Sequence, residues 1–76
     1  MSPDEIREHI EAQVVDVIKQ KVENEEMTEE RAQQLAQRVL ELLKPGMSLE
    51  DLYKTLPKLD DNFSEISPII VPYLRD

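Results

Sequence analysis

The stretch from Met27 to Gly46, MTEERAQQLAQRVLELLKPG, limits what this chain can fold into more than any other. Thr28 suits the N-cap, where its hydroxyl can take up an orphan backbone N–H of the first turn. Glu29 and Glu30 follow at the positive end of the helix dipole. Met27 and Ala32 hold the two places of a hydrophobic staple, while Arg31 replaces the glutamate that would complete a capping box. Ala32, Leu35, Ala36, Val39, Leu40, Leu42 and Leu43 then recur at helical spacing. At about 100° per residue they fill an arc of roughly 160°, with Leu40 near its edge and Val39 near its centre. Lys44 suits the negative end, and Pro45-Gly46 stops the helix. So broad an apolar stripe demands a cover, from elsewhere in the chain or from a second chain.

The same start logic occurs twice more. Ser2-Pro3-Asp4-Glu5 supplies an N-cap, a proline at the first helical position and a capping-box glutamate. Ile6, Ile10, Val14, Val17 and Ile18 mark a face that Val15 and Val22 widen to about half the circumference. A helix this wide touches two neighbours, or one neighbour and another subunit. Asn24 is a residue able to end it in the left-handed conformation, and the short connection implies an antiparallel hairpin. Ser48 caps a third helix with Asp51 at the third position, Met47 and Leu52 as its staple, and Leu49, Leu52, Tyr53 and Leu56 along one side. Pro57 should end it by pushing Leu56 out of the helical region.

Beyond Pro57 two readings stand. Asp60-Asp61-Asn62 is a turn and capping cluster, after which Phe63 and Ile66 can begin a helix from about Asn62, kinked or broken at Pro68. The other reading makes Ile69, Ile70 and Val71 a β-like segment. Short helical pieces are favoured, because the rest of the chain offers no partner strand. The expected architecture is an all-α small helical bundle forming a single domain over 1–76. It has helices at about 3–23, 29–44 and 49–56 and a short helical or irregular segment at about 62–75.

Composition bounds the function. The 76 residues carry a net charge of −8, from 9 basic and 17 acidic residues. Residues 1–27 hold 3 basic and 8 acidic, 28–46 hold 3 and 3, and 47–76 hold 3 and 6. No segment can neutralise phosphates, so no nucleic-acid partner is expected. With no cysteine there is no disulfide framework or thiol nucleophile. No apolar run approaches the roughly 18 residues of a membrane span, and the acidic, polar start does not read as a signal peptide. The expectation is a soluble cytoplasmic protein with no membrane, metal or cofactor partner.

Chemistry-bearing residues are sparse. His9 is the sole histidine; it faces away from the apolar arc, four residues after Glu5, and reads as a surface side chain. Asp60, Asn62, Ser64 and Glu65 resemble the start of a calcium loop, but Glu65 stands where the glycine belongs and Val71 where the bidentate glutamate belongs. Glu25-Glu26 and Glu29-Glu30 lie in a loop and a first turn, without the cleft that acid–base work needs. Ser48 and Ser67 read as caps, and neither they nor Ser64 have a histidine placed to activate them. Gly46, the single glycine, excludes a phosphate loop.

The unusual segment is the tail, where Ile69, Ile70, Val71, Tyr73 and Leu74 crowd around Pro68 and Pro72. It reads as a lid on the helical hairpin or as a docking segment for a protein partner. Exchange of the lid between subunits would satisfy both. The function expected is a non-enzymatic, acidic protein–protein interaction module, self-association included. The alternatives are an acidic regulator masking a partner's basic surface and, less favoured, a small enzyme with an inter-subunit site.

Overall fold

The computed structural model describes residues 2–74, and for 60–62 the backbone alone. The fold is all-α: α1 (Pro3–Glu23), α2 (Glu29–Leu42), α3 (Leu49–Asn62), a 3₁₀ turn at Ser64–Ile66, the one-turn α4 (Ser67–Ile70) and a second 3₁₀ turn at Val71–Tyr73. No strand occurs among the described residues, so the β-like reading of Ile69–Val71 does not hold.

Each long helix starts where its cap residue stands. The Ser2 hydroxyl accepts from the Glu5 N–H at 3.2 Å and donates to the Glu5 carboxylate at 3.2 Å. Thr28 Oγ1 accepts from the Arg31 N–H, and Ser48 Oγ from the Asp51 N–H, each at 3.1 Å. Met27 and Ala32 are both buried, as a staple requires.

The helix ends depart from expectation. Asn24 is not left-handed (φ −88°, ψ 5°); Glu25 takes that place at φ 61°. The Glu26 N–H then bonds the Lys21 carbonyl and the Glu25 N–H the Val22 carbonyl, a Schellman closure with a glutamate where glycine is usual. α2 stops at Leu42 rather than near residue 44. Leu43 swings into extended backbone (φ −99°, ψ 100°) and inserts its side chain, 1% exposed, into the core.

α3 runs through Pro57 to Asn62 instead of stopping at Leu56. The missing proline N–H and its ring clash cost about 3 kcal/mol or more in a helix interior. Continuing the helix puts Leu59 at 0% and Phe63 at 6% exposure. Each such burial contributes about 1.5–3 kcal/mol, which outweighs the local penalty. Asn62 therefore closes α3 and does not open a fourth helix, and Asp60-Asp61-Asn62 is helix rather than turn. Pro68 breaks nothing, because it sits in the first turn of α4, where its absent N–H had no intrahelical partner. Ser67 is the first residue of α4, with Ile66 in the cap position, so its expected cap role is not realised. The tail is made of short helical pieces, as favoured.

α2 returns along α1, α3 lies against both, and α4 packs on α1 and α3. Ile10, Val14, Ile18, Leu35, Val39, Leu43, Leu52, Leu56, Leu59, Phe63, Ile66 and Ile70 meet in one core. That core is closed on the side of the bundle covered by α3 and the tail.

Candidate functional site

The α1–α2 seam is open on the side away from that cover. Glu11, Val14, Val15 and Ile18 of α1 and Ala36, Val39 and Leu40 of α2 line a groove of about 120 Å³. Its bottom is made of core residues: Val14, Ile18 and Val39 are buried. Its lips are apolar and face solvent, with Val15 50% and Leu40 68% exposed. Both residues belong to the apolar arcs that the sequence assigned to the interior. Each lies at an arc's edge, and α3 and the tail cover only the opposite edges. Ala36 keeps the floor low where a larger side chain would fill it.

One wall of the groove is held by an arginine absent from the sequence argument. Arg7 is 9% exposed, in line with Ile10, Val14 and Ile18 on the buried face of α1. Its Nη1 donates to Glu11 Oε1 at 2.7 Å. Asp4 Oδ1 lies 3.6 Å from Nε, and Glu8 Oε1 3.6 Å from Nη2. These partners raise the Arg7 pKa, chiefly through the Glu11 hydrogen bond. Asp4 Oδ1 also accepts from the Gly46 N–H at 3.0 Å, which ties the α2–α3 loop to the start of α1. The signal was present: at about 100° per residue, position 7 falls inside the arc of valines and isoleucines. The cluster is a structural clamp whose carboxylates already serve one guanidinium and one backbone amide.

A second polar centre pins the tail. Arg31 Nε and Nη2 donate to Glu65 Oε2 and Oε1 at 2.9 and 3.2 Å, and the guanidinium stands 4.4 Å from the centre of the Phe63 ring. The hydrogen bond from Arg31 holds the Glu65 pKa below the ordinary carboxylate value, despite partial burial. This explains why the capping box of α2 is incomplete. Arg31 reaches across to the tail, where a glutamate would turn back on the cap.

The other expected residues separate. His9 is exposed on α1. Glu25, Glu26 and Glu29 border a wider, more open hollow at the α1–α2 turn with Val22, Met27 and Thr28. Glu65 is committed to Arg31, Ser64 is exposed, and the side chains of Asp60 and Asn62 lie outside the described part. No group of three or more His, Asp or Glu among the described residues is placed to hold a metal ion. No described helix is long and apolar enough to cross a membrane. Within the tail, Ile70 is wholly buried, Ile69 and Tyr73 pack against the core, and Val71 (48%) and Leu74 (37%) are exposed. α4 thus packs on α1 and α3. Compared with protein-family models, curated proteins and solved structures, the chain matches none.

Proposed function

We propose that this protein is a non-enzymatic binding module that takes a segment of another protein into the α1–α2 groove. The observation that carries the reading is the pair Val15 and Leu40, half or more exposed on the two lips of an apolar cleft continuous with the core. Such clefts are the usual seats of anchoring side chains. Among the described residues, the carboxylate with a displaced pKa is Glu65, and it is displaced downward with both oxygens engaged by Arg31, the reverse of what a general base near neutral pH needs. A cysteine-free chain suits a reducing compartment, and the cytoplasm belongs to the same proposal.

The net charge of −8 supports a second reading, an acidic regulator that masks a basic surface. One comparison separates the two. Tagged full-length protein and its Val15→Gln/Leu40→Gln variant are used to capture proteins from the native cell at low and high salt. Groove binding predicts partners that the variant loses at both salt levels. Partners retained by the variant but released by salt would favour the acidic regulator.

A further inference from the structure

We propose that the occupant of the α1–α2 groove is a cationic amphipathic helix of another protein, docked by its apolar face. This rests on the groove being a docking site and adds the chemistry of what docks. The walls are two neighbouring helices. Val15 and Ile18 stand three residues apart on one, and Ala36 and Leu40 four apart on the other. An apolar stripe at helical spacing is the shape that lies between two such ridges.

Charge selects the partner. Among the charged residues of α1 and α2 that are exposed, eight are carboxylates: Asp4, Glu5, Glu8, Asp16, Glu23, Glu29, Glu30 and Glu41. The one exposed cation is Lys19. The other cations of these helices, Arg7, Lys21, Arg31 and Arg38, are buried or half-buried, each within 4.0 Å of a carboxylate. Glu11 stands in the groove wall and Glu8 lies one turn from it. Asp4, Glu8 and Glu11 share the single cation Arg7, so an incoming helix meets apolar lips on two helices that carry more carboxylates than cations. A second copy would bring a charge of −8 against −8 with the same carboxylates facing one another. Like charges within a Debye length of about 8 Å oppose that arrangement.

The test uses the full chain and three labelled peptides of about 18 residues, near the length of α1 at 1.5 Å per residue. The first is Leu and Lys placed so that the leucines share one helical face. The second replaces every Lys by Glu. The third has the composition of the first, rearranged so that the leucines share no face. Fluorescence anisotropy should show binding of the first peptide alone. The affinity should drop at least about tenfold in Val15→Gln/Leu40→Gln, as loss of central anchors does, and weaken as salt rises. Circular dichroism and melting of that variant should match the parent, since both side chains are exposed; if the variant fails to fold, the peptide contrast on the parent chain decides alone. Equal binding of the Glu peptide overturns the cationic partner and leaves the groove reading standing. Equal binding of the rearranged peptide, or full binding by a folded variant, overturns both. Absence of binding by all three also overturns both. A dimer in light scattering that the double substitution dissociates overturns this occupant in favour of a second copy.

Discussion

Glu25 holds a left-handed conformation (φ 61°) that costs a non-glycine residue about 1–2 kcal/mol, and it places a carboxylate at the negative end of α1. Glycine there removes both penalties and restores part of the cost as chain entropy. Glu25→Gly should therefore stabilise the protein by about 0.5–1 kcal/mol in urea unfolding. A loss would mean that the Glu25 side chain contributes more than its backbone costs. Glu65 gives a prediction in pH. Its folded pKa lies below the ordinary value of 4.5, so its contribution is present above that value and is lost as pH falls through the lower folded pKa. Glu65→Gln should lower the melting temperature by about 2–5 °C at neutral pH. The difference should shrink below pH 4.5 and vanish in strong acid. A gap that stays constant across this range would assign the effect to packing rather than to the Arg31 pair.

At the scale of the element, α3 carries a local conflict that the packing overrides. Pro57 has no N–H for the Tyr53 carbonyl, yet the helix passes through to bury Leu59. Both Pro57 and Tyr53 are exposed, so water can serve that carbonyl. Pro57→Ala should restore the missing bond and stabilise by about 1–3 kcal/mol, with more helix by circular dichroism. Destabilisation instead would show that a bend at Pro57 is needed to bring Leu59 and Phe63 onto the core. α1 shows the complementary case. Its apolar arc is wider than one neighbour can cover, and Val15 is left outside as a lip of the groove.

For the molecule as a whole, the tail decides whether the bundle closes. Ile70 is 0% exposed and Ile66 0%, while Ile69 and Tyr73 pack against the same core. Ile70→Ala should cost about 2–4 kcal/mol, the range for a buried isoleucine. Truncation after Ser67 should cost more, since it also uncovers the α1 and α3 faces that α4 lies on. Thermal melts and light scattering of both forms check this. A truncated chain with unchanged melting would mean that the tail contributes nothing to the fold. Stability in so small a core is a few kcal/mol, so the truncated form should be largely unfolded or self-associated at 37 °C.

The local sequence determined the all-α class, the three capped helix starts at Ser2, Thr28 and Ser48, and the main buried stripes of α1 and α2. Those are settled within one or two turns, by side-chain hydrogen bonds to backbone and by the 3.6-residue period. In α3, by contrast, Leu52 and Leu56 are buried but Leu49 and Tyr53 of the same expected side are exposed. The passage of α3 through Pro57 and the inward swing of Leu43 were decided only by tertiary packing. In each, a local preference of about 1–3 kcal/mol was outweighed by contacts between residues far apart in the chain. The groove is of the same kind. Periodicity marked Val15 and Leu40 as apolar-face residues, but which edge of a broad stripe stays open depends on where α3 and the tail come to rest. That placement is set by Arg31 meeting Glu65 across 34 positions and by Ile66 and Ile70 seating against helices far earlier in the chain, a matching of distant partners that no local period encodes.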